Sequence, residues 1–245
     1  MLHLLPVTPE TLLALGLIAV YLFDSMHFLR IGEAVVVTRH ARLHGISFGS
    51  GFEFGGRRPF LPNPLTPFWP ELRLDWVNGA SGEEAARNCS DEMRVRASAL
   101  RWVGMFSGAC TASIVIGAPV ALFAGAQWVF IACVALCLAC ELVAAGLLLR
   151  ARKQLELGFG QWLSLALIGL VCLPCAGNLA RAAAKARCWT LPAYQIAQLQ
   201  LASFEAGALR TQVREAVLRA RRFVDEQSPE FHGLSEQLRL LGEGS

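Results

Sequence analysis

The stretch from Trp102 to Leu149, WVGMFSGACTASIVIGAPVALFAGAQWVFIACVALCLACELVAAGLLL, decides the fold class, because Glu141 and the cysteines are its only ionisable residues. A helix that rises about 1.5 Å per residue needs about 20 residues to cross about 30 Å of hydrocarbon, so this stretch is too long for one span. The segment GAPVALFAGAQW (117–128) contains the small and helix-breaking residues of a turn. We therefore predict a hairpin of two transmembrane helices.

Two further apolar segments, Thr11–Leu29 and Leu157–Asn178, also have the length of membrane spans. The whole chain is only 17% charged, whereas about a quarter of the residues of soluble domains are charged. No Lys or Arg precedes the first segment and no small-x-small cleavage pattern follows it, so we expect a retained anchor rather than a cleaved signal peptide. We predict a mainly α integral membrane protein with four transmembrane helices, a small β-rich extramembrane loop domain and an amphipathic helical C-terminal tail.

The predicted domains follow the spans along the chain. They are the N-terminus with the first span (1–30), the extramembrane loop (31–100), the hairpin of the second and third spans (101–150), a short loop with the fourth span (151–180), and the tail (181–245).

The extramembrane loop has the pattern of a small antiparallel sheet. Four runs have the composition or the alternation of strands: AVVVTR (34–39), LHGISF (43–48), GFEFGG (51–56) and ELRLDWV (71–77). Between the last two, Pro64, Pro67 and Pro70 repeat every third residue, which is the period of polyproline II. We interpret this Pro-rich segment as a stiff connector that leads from the first strands to ELRLDWV.

The distribution of Lys and Arg predicts how the chain is oriented in the membrane. Basic residues flank the loops 31–100 and 150–157, which we therefore place in the cytoplasm of a bacterial inner membrane, with both termini outside. The tail has an apolar stripe at helical spacing, typical of packing on the loop, on a second copy or on an anionic lipid surface. Acidic residues lie among its arginines, so we expect no nucleic-acid partner.

Small and aromatic residues predict how the spans pack. Gly104, Gly108 and Ala112 form a small-xxx-small ridge that allows another helix to approach closely. Five aromatic residues are predicted to anchor the chain at the membrane interface: Phe68, Trp69, Trp102, Trp128 and Trp162. A helical bundle follows, with a homo-oligomer or another protein complex as its expected assembly.

Cysteines are the first candidates for chemistry. Six of the eight lie in the predicted spans, and Cys172-Leu-Pro-Cys175 has the CxxC spacing of dithiol redox centres and of metal-ligand pairs. A four-helix membrane bundle with a CxxC in its fourth helix resembles the vitamin K epoxide reductase family. That resemblance implies a redox role for Cys172 and Cys175 alone, since the loop 31–100 contains only Cys89 where the family has a pair. Cysteine also packs well between helices as a small apolar residue. The histidines do not cluster with the thiols, so we expect no metal.

Acidic residues in the spans are the second candidates, because a carboxylate in hydrocarbon usually faces a partner or a cavity. Asp24 and Glu141 are predicted to lie toward the same membrane face, with His27 and Arg101 as their expected partners. Two interpretations stay open: a buried polar clamp between the first and third spans, and a site that handles protons or ions.

No nucleotide-binding, metalloprotease or nucleophile-elbow motif is present, and we expect no cofactor. The residues that stand out build interfaces, so we predict a non-enzymatic scaffolding, assembly or partner-binding role. The first alternative is a membrane thiol-disulfide oxidoreductase that uses the CLPC dithiol. The second is a small transporter or channel subunit that uses the intramembrane acids.

Overall fold

A computed structural model of the chain describes residues 8–39, 42–76, 83–199, 201–203 and 206–243. Its helices are α1 Pro9–Ser25, α2 Glu83–Ala99, α3 Arg101–Thr111, α4 Ala118–Phe123, α5 Gln127–Ala151, α6 Phe159–Val171, α7 Leu173–Ala176, α8 Leu179–Lys185, α9 Ala193–Ile196, α10 Ala206–Arg221 and α11 Pro229–Glu243. A π-helical segment, Ala112–Gly117, joins α3 to α4. The strands are β1 His27–Arg30, β2 Glu33–Arg39, β3 Arg42–Ser47, β4 Arg57–Phe60, β5 Glu71–Asp75 and β6 Cys188–Thr190.

The chain divides into two compact units. The helical unit consists of Met1–Met26, Leu61–Trp69 and Ala99–Ala183, and the sheet unit consists of His27–Phe60, Pro70–Ser98 and Ala184–Ser245. Local sequence explains where the first helix begins: Pro9 stands in its first turn, where a missing N–H costs nothing, and the Thr8 hydroxyl accepts a hydrogen bond from the Thr11 N–H.

Two described helical stretches have the length and composition of membrane spans. Arg101–Phe123 is 23 residues long and Gln127–Ala151 is 25, and together they form the hairpin that the stretch 102–149 predicts. Core helices of soluble proteins share these properties. Of the other two predicted spans, α1 has 17 residues and α6 has 13. At about 1.5 Å per residue, α6 is only about 20 Å long. The structure therefore provides two helices of span length where the sequence predicted four.

The fourth predicted span is not one helix. Helix α6 starts beside the C-terminal part of α5, where the Trp162 indole N–H donates to the Ala145 carbonyl at 2.9 Å. Further along, Gly169 lies against the Glu141 side chain, and the Leu173 carbonyl accepts from Cys137 Sγ at 3.9 Å. Helix α6 thus runs antiparallel to α5 and reaches the middle of the bundle, where it ends at Val171.

After this point the chain turns back. Gly177 lies against Thr111, and the Ala180 N–H donates to the Ser107 hydroxyl at 3.4 Å, so the chain moves toward the start of α3. The start of α3 and the end of α5 lie at the same end of the bundle, because these helices are antiparallel neighbours. Helices α6, α7 and α8 therefore form a helical hairpin that enters the bundle and returns, with residues 172–176 at its turn.

The Pro-rich segment is not polyproline II. The Thr66 N–H donates to the Asn63 carbonyl at 3.1 Å, and the Trp69 N–H donates to the Thr66 carbonyl at 3.2 Å. These are two successive hydrogen-bonded turns, whereas polyproline II has no internal hydrogen bonds. The segment belongs to the helical unit, in which Phe68 packs against Gly104 and Gly108. The small-residue ridge that predicted a helix neighbour is thus covered, over these two glycines, by a turn.

The sheet unit contains most of the predicted strands. A four-stranded sheet has the order β3-β2-β5-β6, and β1 pairs separately with β4. Strands β2, β3 and β5 confirm the predictions from AVVVTR, LHGISF and ELRLDWV. The strand predicted at GFEFGG (51–56) is wrong, since its described pairing is one bridge from Phe54 to Arg57. Pairing begins after it, at β4, because Gly55 and Gly56 adopt positive φ angles and turn the chain.

The tail shares this sheet with the loop. Strand β6 pairs in parallel with β5, with Trp189 opposite Leu74. The predicted apolar stripe of the tail is also confirmed, since Leu209, Val213 and Val217 of α10 are buried. A loop and a tail that share one sheet lie on the same side of any membrane. The sequence predicted the loop 31–100 and the tail on opposite membrane faces, whereas both contribute strands to this one sheet.

Replacing Gly104 with Ala tests the packing of the Pro-rich segment. A Cβ at this position would lie 2.6 Å from the Phe68 carbonyl oxygen. Moving that backbone atom away would cost conformational energy. We expect Gly104→Ala to lower the free energy of unfolding by about 1–3 kcal/mol, the usual cost of overpacking. Thermal unfolding of the purified protein in detergent measures this, with Gly146→Ala as the control, because a Cβ on Gly146 meets nothing within 4 Å. Equal melting temperatures for the two variants would contradict this packing.

Candidate functional site

A buried polar network holds the returning arm of the helical hairpin. The Asn178 amide donates from Nδ2 to Asp24 Oδ2 at 2.9 Å, and its Oδ1 accepts from Ser25 Oγ at 3.0 Å. The same Oδ1 accepts from Arg181 Nη1 at 3.3 Å. Asn178, Ser25 and Arg181 are all buried. The network therefore ties the C-terminal end of α1 to the start of α8.

Arg181 extends this network to the Pro-rich segment. Its Nη2 donates to the Asn63 carbonyl at 2.8 Å and to the Thr66 carbonyl at 3.1 Å. Beside it, the Tyr21 hydroxyl donates to the Pro64 carbonyl at 2.6 Å. A buried guanidinium needs such partners, because desolvating an unpaired charge costs several kcal/mol. Arg181 thus adds a second hydrogen bond to each of the two carbonyls that close the turns of the Pro-rich segment.

Cys172 and Cys175 lie at the turn of the hairpin and are joined by a disulfide, with their Cα atoms 5.2 Å apart. Cys172 ends α6, and Pro174 stands in the first turn of α7. Both cysteines are partly exposed. The backbone of the turn is hydrogen-bonded internally, since the Cys175 N–H donates to the Cys172 carbonyl at 2.8 Å. The site is therefore an ordered, partly accessible disulfide between two short helical arms.

A cluster of buried thiols lies next to this disulfide. Cys110, Cys137 and Cys140 pack with Ile114 and Ala176 in one apolar cluster. Cys110 Sγ donates to the Cys137 carbonyl at 3.4 Å. Cys133, which shares the helix face of Cys137 in the sequence, instead lies beside Gly117 of the π-helical segment.

The two acids that were predicted to lie in membrane spans have different surroundings. Asp24 is half-buried and bonded to Asn178. Glu141 is fully buried against Gly169, and neither of its carboxylate oxygens accepts a hydrogen bond from a described residue. The structure therefore does not bring Asp24 and Glu141 together as the predicted clamp between the first and third spans.

The expected partners of the acids also lie elsewhere. Helix α1 ends at Ser25, so His27 begins strand β1, where its Nε2 pairs with Glu71 Oε2 at 2.8 Å. Arg101 is exposed, with its guanidinium 6.0 Å from the ring centre of Trp102. Asn178 is the hydrogen-bond partner of Asp24 that the sequence analysis missed. It stands at the end of a predicted span, and nothing in the local sequence indicated that the chain turns back there.

The predicted packing and anchor residues have different surroundings. Ala112 is exposed at the start of the π-helical segment, apart from the glycines covered by Phe68. Trp102 and Trp128 are 57% and 83% exposed, as a headgroup anchor requires, whereas Trp162 is half-buried and bonded to Ala145. Trp69 stacks edge-on to Phe68 at 5.5 Å. The interfacial role of all five aromatics stays a prediction.

The two free cysteines of the sheet unit, Cys89 and Cys188, have surroundings that differ from those of the buried thiol cluster. Burial raises the pKa of the Cys89 thiol to about 12, with Glu92 adding to the rise and Arg187 opposing it. Cys89 therefore stays protonated near neutral pH and is a poor nucleophile, while Cys188 is exposed. Among the described residues, no group of three or more His, Cys, Asp or Glu side chains is arranged to hold a metal ion.

Comparison with protein-family models, with curated proteins and with solved structures finds no match to this chain. The resemblance to the vitamin K epoxide reductase family therefore rests on the spacing of Cys172 and Cys175 alone.

Replacing Arg181 tests whether the polar network holds the hairpin. Arg181→Met removes its donors and leaves the Asn63 and Thr66 carbonyls without this partner, so we expect the free energy of unfolding to fall by about 2–4 kcal/mol. Thermal unfolding in detergent measures the loss. Arg101→Gln is the matched control, since it removes an exposed arginine of the same unit. A melting temperature of Arg181→Met equal to that of Arg101→Gln would show that the network contributes no stability.

Proposed function

We propose that this chain is a membrane protein that carries out thiol-disulfide exchange at Cys172 and Cys175. The observation that carries the proposal is the disulfide at the turn of a helical hairpin, beside three buried thiols. In the reaction, two substrate thiols reduce the Cys172–Cys175 disulfide and leave as a disulfide, and both protein sulfurs become thiols. The substrate class is a thiol or dithiol small enough to reach the turn.

Three features of the site support this chemistry. The cysteines are partly exposed, so an attacking thiol has access to a sulfur. A Cys-X-X-Cys pair is a recurring dithiol redox centre. Cys172 stands at the break between α6 and α7, and Cys175 lies in the four-residue helix α7, so neither cysteine is held inside a long continuous helix.

We propose a membrane topology of three crossings and one re-entrant hairpin for the same chain. Helix α1, the stretch Arg101–Phe123 and helix α5 cross the bilayer, and α6, α7 and α8 enter and return on one side. Non-helical backbone at membrane depth is tolerated where protein surrounds it, and Pro174, Ala176, Gly177 and Asn178 are all buried.

The distribution of charge supports this topology. All 22 Lys and Arg residues lie in or at the edges of the loop 31–100, in the segment 150–153 or in the tail from Arg181 onward. A re-entrant hairpin places these three regions on one side, which the positive-inside rule makes cytoplasmic. A fourth crossing would instead place the basic tail outside and separate it from the sheet that it shares with the loop. The bacterial inner membrane remains the proposed location.

An accessibility experiment tests the topology. An epitope tag placed after Ser245 and a second one inserted at Gly125, between α4 and α5, are each introduced into the full chain. In intact spheroplasts we expect a membrane-impermeant protease to remove the tag at Gly125 and to spare the tag at Ser245 until the membrane is opened. Removal of the Ser245 tag from intact spheroplasts would show that the fourth segment crosses the bilayer.

A redox titration tests the function. The purified protein in nanodiscs is equilibrated with glutathione buffers of increasing oxidised fraction, quenched in acid and labelled with a polyethylene glycol maleimide under denaturing conditions. We expect at least two thiols to change state reversibly, and the number of thiols that change to fall by two in Cys172→Ala/Cys175→Ala. Cys188→Ala is the control, because it removes an exposed thiol outside the site. A Cys172–Cys175 pair that stays in one state throughout would refute the function.

The other functions predicted from the sequence have less support. Exposed apolar side chains on the helices fit lipid as well as a protein partner, so no single contact favours scaffolding or partner binding. A transporter or channel role is favoured by one observation, the burial of Glu141 without a hydrogen bond from a described residue. That carboxyl lies between α5 and α6, beside the same hairpin.

A further inference from the structure

We infer that Cys110 and Cys137 form a second dithiol, which exchanges electrons with the Cys172–Cys175 disulfide inside the helical unit. This inference rests on the proposed function and extends it to a second pair of cysteines. Cys137 is the attacking thiol and Cys110 is the thiol that resolves the mixed disulfide.

The two thiols face each other across neighbouring antiparallel helices. Cys110 lies on α3 and Cys137 on α5, and both are almost fully buried, at 1% and 0% exposure. Cys110 Sγ donates to the Cys137 carbonyl at 3.4 Å, so the Cys110 thiol lies against the backbone of the residue with which it would pair. A disulfide between them would link the two helices without a long displacement of either backbone.

Cys137 also contacts the turn of the hairpin. Its Sγ lies 3.9 Å from the carbonyl oxygen of Leu173, the residue that follows Cys172. Leu173 and Ala176, which flank Pro174 and Cys175, pack against the same apolar cluster as Cys137. Cys137 therefore contacts the CLPC turn directly through its sulfur. Cys133, one helical turn earlier, lies beside Gly117 instead.

The exchange balances without an added oxidant or reductant. Cys137 attacks one sulfur of the Cys172–Cys175 disulfide, forms a mixed disulfide, and its proton passes to the sulfur that leaves. Cys110 then attacks Cys137, which forms the Cys110–Cys137 disulfide and releases the second hairpin thiol with the remaining proton. Two electrons have moved from the buried pair to the hairpin pair, and the number of thiols is unchanged.

The experiment traps the intermediate. The protein in nanodiscs is fully reduced, given one equivalent of oxidised glutathione, quenched with acid at intervals, alkylated and mapped by mass spectrometry. In the natural chain we expect the Cys172–Cys175 disulfide first and the Cys110–Cys137 disulfide later. In Cys110→Ala we expect a mixed disulfide from Cys137 to Cys172 or Cys175 to accumulate at least fivefold above its level in the natural chain. Cys133→Ala is the control and should behave as the natural chain does.

The outcomes separate this inference from the proposed function. In Cys172→Ala/Cys175→Ala, the Cys110–Cys137 disulfide should form at least tenfold more slowly, because the buried pair loses its internal oxidant. If the hairpin pair titrates but the natural chain forms no Cys110–Cys137 disulfide and Cys110→Ala traps no mixed disulfide, the inference fails and the function stands. If the hairpin pair never changes state, both fail. The time course of the natural chain needs no variant, so a misfolded Cys110→Ala protein would still leave a decisive result.

Discussion

The helical unit contains a charged side chain with no exposed surface, Arg181, on which several of its contacts depend. Its guanidinium requires acceptors, and it obtains them from the Asn178 side chain and from two backbone carbonyls of the Pro-rich segment. Each of these two carbonyls also closes a turn of the Pro-rich segment, and a carbonyl oxygen has two lone pairs, so it can accept both hydrogen bonds. The burial of one arginine therefore links the return of the hairpin, the turns at 63–69 and the end of α1.

The position of the cysteines depends on that constraint. Because Asn178 and Arg181 hold the chain near the end of α1, the segment after Cys172 must reverse, and Cys172 and Cys175 stand at the turn rather than inside a continuous helix. Glycines allow close contacts before and after the turn of the hairpin. Gly169, before the turn, lies against Glu141, and Gly177, after it, lies against Thr111 and Tyr21. The hairpin thus places a disulfide beside thiols that belong to two other helices.

The same arrangement changes how charge is distributed in the proposed membrane topology. A crossing fourth segment would divide the basic residues between two membrane faces, whereas a returning one collects all of them on one face. The parallel pairing of β6 with β5 requires the tail and the loop to be together. Backbone pairing in one unit and the positive-inside rule in the other therefore favour the same path of the chain.

Local patterns were sufficient for elements whose residues act over short distances. The apolar run from Trp102 to Leu149 determined two long helices, alternation determined β5, and the stripe of the tail determined α10, because helix and strand periods are properties of neighbouring residues. The spacing of Cys172 and Cys175 also identified the candidate dithiol. Polyproline II at Pro64–Pro70 and a strand at GFEFGG were wrong, since hydrogen bonds to distant groups and glycine turns outweighed local preference.

Only the tertiary structure decided which groups meet. The sequence could not show that Asn178 is hydrogen-bonded to Asp24 across a separation of 154 residues. It also could not show that strand β6 of the tail pairs with β5. It likewise placed His27 and Arg101 beside the acids, whereas the structure places His27 with Glu71 and leaves Arg101 exposed. By itself the sequence determined which segments are apolar and helical and which cysteines are closely spaced. The burial of Asn178 and Arg181 decided that the chain turns back at the end of the last apolar segment, because a buried polar group needs hydrogen-bond partners and the fold supplies them there.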